Sequence, residues 1–172
     1  MEKVLISNSK EETKQIASKI ASNWTRGDVI LLKGDLGAGK TTFVSGVAKA
    51  LNIKDDVISP TFNIMKCYFD GTIPLYHIDA YRLEGQNIEI GLDEYIEGDG
   101  ACFIEWPDYI ASLIPDEFLE ITINNLGENK RKITFSSTSS RFYPLIGSLD
   151  NDWFGIGFFR QGPSCWNIWR FY

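Results

Sequence analysis

Clustered positive charge is missing from this 172-residue sequence, in which 17 Lys and Arg face 23 Asp and Glu for a net charge of -6. A surface that grips nucleic acid by itself neutralises phosphates with grouped Lys and Arg, so direct nucleic-acid binding is not expected. Cysteine is scarce too. Cys67, Cys102 and Cys165 stand far apart and form no CxxC pair, which speaks against a disulfide framework and fits reduced thiols in a cytosolic compartment. Cys102, inside an apolar run, is expected to be core. No apolar stretch approaches the roughly 18 residues of a membrane span. Met1 to Val4 carries no basic segment leading into an apolar one, so no signal peptide is expected. Cytoplasm follows by elimination. Histidine is reduced to one residue, His77, which reads as a satisfied structural side chain rather than a general base.

What is present is an ordinary globular composition, 44% hydrophobic and 23% charged, long enough for one domain. Val4 to Ser7 reads as a short strand. Ser9 and Glu12 form a capping box ahead of a helix whose stripe is Ile16, Ile20 and Trp24. Val29-Ile30-Leu31-Leu32 is a β-branched apolar run of the kind buried in a parallel sheet. Thr42 to Leu51 reads as a helix packing through Phe43, Val47 and Leu51. Strands are expected over Asn63–Phe69, Ile73–Asp79 and Ala101–Ile104, with short helices over Ile88–Ile96 and Asp108–Leu113. Leu119–Ile123 and Lys130–Phe135 read as a closing hairpin. Ser136 to Ser140 looks like the end of compact structure. Residues 149 to 172 then hold 8 of the chain's 23 aromatics without helical or strand period, so they are set apart as an extension from a domain spanning residues 1 to 148.

Between the apolar strand and the next helix lies Gly34-Asp35-Leu36-Gly37-Ala38-Gly39-Lys40-Thr41, followed by Thr42. This is the P-loop pattern in the strand–loop–helix context it requires. Its glycines let the backbone turn tightly and aim amides at phosphate oxygens at a helix N-terminus. Lys40 is expected to reach the β- and γ-phosphates and the Thr41 hydroxyl to bind Mg²⁺. Asp35, Leu36, Gly37, Ala38, Gly39 and Thr42 complete the nucleotide-binding set. A P-loop also needs an acid near the metal, at the end of a neighbouring buried strand. Asp79 and Glu105 both meet that description, and spacing does not choose between them. Thr61, in Ser59-Pro60-Thr61-Phe62, is either a switch-like contact to metal or γ-phosphate or part of a plain turn. Arg82 either neutralises developing charge or pairs with a carboxylate. Asn129-Lys130-Arg131-Lys132 lacks the Asp of a guanine-specific element, which favours ATP over GTP.

Taken in order, the P-loop, Ser59-Pro60-Thr61-Phe62, His77-Ile78-Asp79-Ala80-Tyr81-Arg82-Leu83, Gly91-Leu92-Asp93-Glu94-Tyr95 and Ile104-Glu105-Trp106-Pro107 resemble the TsaE family of small bacterial P-loop ATPases. The resemblance covers roughly residues 3 to 147. It implies support for threonylcarbamoyl modification of tRNA adenosine 37, through binding to the TsaB and TsaD proteins, which hold the tRNA. It also implies that Lys40, Thr41, Asp79 and Glu105 are nucleotide, metal and catalytic residues, that Thr61 is a switch-like contact, and that Trp106 neighbours the nucleotide. Nothing after Gly147 matches. The aromatic tail is read as a partner-binding or self-binding segment, an extension packed over the core, or the product of an altered reading frame, with packing or self-association favoured.

The expected fold is a three-layer α/β P-loop NTPase domain with a mixed, mainly parallel central sheet. The expected activity is ATP hydrolysis with magnesium, slow in isolation and gated by partners. Two rivals share the same loop: a small-molecule kinase, and a non-hydrolysing nucleotide switch that controls assembly.

Overall fold

Three short runs, at residues 29–32, 75–78 and 101–104, are buried on both faces, and such strands are stable only in the middle of a sheet covered on both sides. In the computed structural model, which describes residues 1–60, 62–85 and 91–150, they occupy that position. The elements in chain order are β1 (Glu2–Ser7), α1 (Lys10–Ala21), β2 (Val29–Lys33), α2 (Lys40–Ala50), β3 (Met65–Tyr68), β4 (Leu75–Asp79), α3 (Asp93–Ile96), β5 (Ala101–Glu105), β6 (Leu119–Asn125), β7 (Arg131–Ser136) and α4 (Tyr143–Gly147). Short 3-10 segments follow β4, β5, β7 and α4.

The seven strands form one sheet in the order β1-β7-β6-β2-β5-β4-β3. The centre is parallel, with β2 paired to β5 and β6, and β5 to β4. The outer pairs β1–β7, β6–β7 and β3–β4 are antiparallel. Alternation along β2 divides the core: Ile30 and Leu32 join Ile16, Ile20, Phe43, Val47 and Phe135 under α1 and α2. Val29 and Leu31 join Ile78, Ile96, Cys102, Ile104 and Ile110 on the opposite face. The result is the expected three-layer arrangement. Burial pushes the Cys102 thiol pKa up, in keeping with a core rather than a reactive cysteine.

Helix α1 starts as the capping box requires, with Ser9 Oγ accepting from the Glu12 amide at 3.0 Å. The Glu12 carboxylate reaches back one residue further than the usual box, to the Asn8 amide. Helices α1 and α2 approach closely at Gly46, where a Cβ would run into the Lys14 carbonyl and lie 2.9 Å from the Ala17 Cβ. Ser18 Oγ donates to the Gly46 carbonyl at 2.6 Å across the same contact. The helix expected over Ile88–Ile96 is seen as Asp93–Ile96, its first residues lying outside the described ones.

The serine-rich run does not end compact structure. Beyond it Phe142 and Ile146 are fully buried, and Leu145 and Leu149 nearly so, all in the core under α1 and α2. Serines end a domain only if nothing apolar follows at packing distance, and here Ser139 caps the next turn by accepting from the Arg141 amide. Arg141 then forms an ion pair with buried Asp28 at 2.6 Å. Leu149, counted above with the extension, therefore belongs to this packing; residues 151 to 172 lie outside the described ones. Phe142→Ala should remove about 3–5 kcal/mol of stability. Urea unfolding reads this as a lower midpoint at unchanged slope; a loss below about 1 kcal/mol would mean that the segment is not core.

Candidate functional site

The site lies where β2, β5 and β4 end, the position at which parallel α/β sheets bind ligands. Lys33 closes β2 and Lys40 opens α2, so residues 34 to 39 are the whole connection. Gly34, Gly37 and Gly39 take φ of 146°, 77° and 110°, values that side chains disfavour. At Gly34 space adds to the conformational demand, because a Cβ there would run into the Ile123 carbonyl. Helix α2 has no side-chain cap and no acid in its first turn. Its leading amides, at the positive end of the helix dipole, are left to an anionic ligand.

Lys40 is 6% exposed, so its ammonium must be paired where it lies. Nζ donates to the Gly34 carbonyl at 2.7 Å and the Asp35 carbonyl at 3.1 Å. It also lies 3.7 Å from Glu105 Oε2 and 5.0 Å from the centre of the Trp106 ring. Glu105 ends β5, directly opposite Asp79 at the end of β4. Both residues are 4% exposed. The parallel register thus brings together the two acids between which spacing alone could not choose. Asp79 Oδ1 accepts from the Tyr81 amide at 3.1 Å and caps the turn after β4. Glu105 Oε1 lies 2.8 Å from His77 Nε2, with His77 fully buried.

Trp106 follows Glu105 with φ 55° and ψ 50°, a left-handed conformation for a bulky residue placed before Pro107. That turn sets its ring beside Lys40 and in an aromatic group with Tyr81, at 5.2 Å, and Tyr109, at 6.2 Å. Ile64 is a second left-handed residue, at φ 63°, and its carbonyl accepts the Asp79 amide at 2.7 Å. Thr61 lies outside the described residues. Its neighbour Ser59 lines the cleft, while Phe62 is exposed with the Arg82 guanidinium 4.9 Å from its ring centre. Arg82 is thus engaged at the surface rather than at Lys40.

These elements wall a cleft of about 590 Å³ that also takes in Leu36, Gly37, Gly39, Thr41 and Thr42. Asp35 contributes its carbonyl to Lys40, and Ala38 its carbonyl to an arginine that sequence reasoning did not place at the site. Arg131, at the start of β7, donates from Nε to the Ala38 carbonyl at 2.8 Å. Its Nη1 binds Asn125 Oδ1 at 3.1 Å and the Gly127 carbonyl at 2.9 Å in the hairpin turn. In a trans peptide the carbonyl and the next amide point opposite ways. Holding the Ala38 carbonyl outward therefore turns the Gly39 amide into the loop. Arg131 lies 93 residues from Ala38, so no local signal could reveal the link. Ser9, Lys10, Thr13, Glu128 and Asn129 also line the cleft, and sequence reasoning did not place them at the site either.

No group of three or more His, Cys, Asp or Glu side chains able to hold a metal stands among the described residues. The donors that line the cleft, the Thr41 hydroxyl and the Asp79 and Glu105 carboxylates, are hard oxygens. That set fits Mg²⁺, which takes one or two protein oxygens and shares the rest with water and substrate phosphates.

A strand, a glycine loop with three left-handed residues and a helix that opens on a buried lysine define a P-loop nucleotide-binding protein. The family model described as "Threonylcarbamoyl adenosine biosynthesis protein TsaE" matches residues 7–133. The chain belongs to the TsaE family. It is 48% identical over 139 residues to the tRNA threonylcarbamoyladenosine biosynthesis protein TsaE of Bacillus subtilis, covering 81% of this chain and 88% of that one. The corresponding protein of Nostoc is 39% identical over 153 residues, covering 86% and 93%. Among solved structures, that of Bacillus subtilis YdiB superposes with a TM-score of 0.76 at 42% identity, covering 88% of this chain and 97% of that one.

Arg131→Ala should weaken nucleotide binding about tenfold in titration calorimetry, the worth of one lost charge-assisted hydrogen bond. Arg131→Lys should not rescue it, because an ammonium cannot serve the loop and the hairpin turn together. Unchanged affinity in both variants would sink the bracing role.

Proposed function

We propose that this chain binds ATP with magnesium and hydrolyses it, and that turnover supports TsaB and TsaD in threonylcarbamoyl modification of tRNA adenosine 37. The observation that carries the reading is the meeting of Lys40, Asp79 and Glu105 at the mouth of the glycine loop, on the ends of adjacent strands. The relatives' names carry the tRNA half of it. The net charge of -6 fits a protein that reaches tRNA through partners rather than directly, acting in the cytoplasm. No helix among the described residues is long and apolar enough to cross a membrane.

In this reading the loop amides from Asp35 to Thr42 cradle the phosphates, and Lys40 leaves its carbonyl partners for the β- and γ-phosphate oxygens. Thr41, with Asp79 or Glu105, would hold Mg²⁺, which would neutralise charge on the phosphate oxygens. Water attacks the γ-phosphorus in line; the bond to the bridging oxygen breaks, its electron pair leaves with ADP, and the water's proton passes to an oxygen of the released phosphate. Glu105 or Asp79 orients that water. Trp106 flanks the phosphates beside Lys40, and Thr61 reports the nucleotide state from the Ser59–Phe62 segment. Partner binding gates a slow intrinsic rate.

Lys40→Ala should raise the ATP dissociation constant at least about tenfold. Glu105→Gln should keep ATP affinity while lowering turnover about a hundredfold or more. A Glu105→Gln protein that binds ATP and still sustains tRNA modification with TsaB and TsaD would favour the non-hydrolysing switch. Co-purification with TsaB and TsaD, with and without ATP, tests the partners directly. It is best run on the full chain and on a form ending at Asp150, which retains the buried Leu149. No association by either form would overturn the partner assignment.

A further inference from the structure

His77 was expected to be a satisfied structural residue, and its surroundings do not satisfy it. It is fully buried, and its Nδ1 has no hydrogen-bond partner among the described residues. Its one polar contact among the described residues is Nε2 to Glu105 Oε1 at 2.8 Å. The placement follows from sheet register. His77 sits two residues before Asp79 on β4, opposite Phe103, which sits two residues before Glu105 on β5. Alternate residues of a strand share a face, so His77, Asp79, Phe103 and Glu105 all point to the side covered by α2. Leu75 and Phe103 pack in that layer.

A proton on Nδ1 would be a buried donor without an acceptor, which is costly. A bare lone pair there is cheaper. The proton therefore belongs on Nε2, donated to Glu105, and Glu105 accepts it as a carboxylate. The two carboxylate oxygens then differ: Oε1 is tied to the imidazole, while Oε2 lies 3.7 Å from Lys40 on the cleft side.

We infer that His77 is a positioning residue, which fixes the rotation of the Glu105 carboxylate so that one oxygen is kept for Lys40 and the water of hydrolysis. This rests on the reading of the cleft as a hydrolytic site. A neutral imidazole suits the task, since it orients the carboxylate without cancelling its charge.

Because His77 is the chain's single histidine, an imidazole-selective ¹H–¹⁵N spectrum of the untagged protein contains one spin system. It should show the proton on Nε2 and a bare Nδ1, and the Nε2–H signal should move in Glu105→Gln. A proton on Nδ1, or a signal indifferent to Glu105→Gln, would overturn the inference. In phosphate-release kinetics, His77→Leu should lower kcat about tenfold or more. Its ATP dissociation constant should stay within about threefold of wild type. His77→Gln, which retains an N–H at similar reach, should recover most of the lost turnover. Wild-type kcat in His77→Leu, or equal losses in both variants, would also overturn it. Should His77→Leu fail to fold, as its melting temperature would tell, the spectrum and the Gln variant decide. Failure of the hydrolytic reading looks different: full turnover in Glu105→Gln, or no phosphate release from the wild type, with the spectrum still showing the His77–Glu105 bond.

Discussion

Lys40 carries a positive charge into a place almost closed to water, and the surrounding structure is arranged so that the charge is tolerable there. An ammonium cannot be buried without partners. Two of its partners are carbonyls of its own loop, at Gly34 and Asp35, a loop that starts with Gly34 at φ 146°. The third is Glu105, which reaches Lys40 because β5 pairs in parallel with β2 and ends level with it, Leu32 opposite Glu105. Loop conformation, helix start and strand register are therefore coupled through one side chain. A shift in β2–β5 register would strand Glu105 away from Lys40 and leave both charges buried without their partner.

The same logic extends outward in both directions. On the β4 side, the register that sets Asp79 opposite Glu105 also brings His77 to its carboxylate. On the β6–β7 side, the hairpin returns Arg131 to the Ala38 carbonyl. The antiparallel edges thus do more than close the sheet, since one of them delivers the brace that orients a loop amide. The parallel centre supplies the acids, and the antiparallel flank steadies the loop they face.

Local patterns revealed the parts of this arrangement that are local. The glycine spacing of the loop, the Ser9 cap and the apolar runs of β2 and β5 each have a short-range signature, and each lies where expected. Asp79 and Glu105 could be named as strand-end acids but not distinguished, because their relation exists only once β4 and β5 pair. His77 could not be placed for the same reason: its one polar neighbour among the described residues is 28 positions away, met only when β4 and β5 pair. Arg131 is visible only through the tertiary fold. The continuation through Phe142 to Leu149 was hidden by a serine run, which reads as a boundary until its caps and the apolar residues beyond it are seen in place.

Two residues pay openly for the site. Ile64 and Trp106 both take left-handed backbone, at a cost on the order of 1–2 kcal/mol each. Neither lies at random. Ile64 presents its carbonyl to the amide of Asp79, and Trp106 turns its ring beside Lys40 immediately after Glu105. Each strained residue therefore adjoins one of the two acids, Trp106 next in the chain to Glu105 and Ile64 across the β3–β4 pair from Asp79. A chain can turn in many inexpensive ways, so strain beside both acids argues that what is held there is the direction of the acid and its neighbour. The strain is borne by a sheet whose central strands are buried between two apolar layers, and that burial is what lets both unfavourable conformations persist.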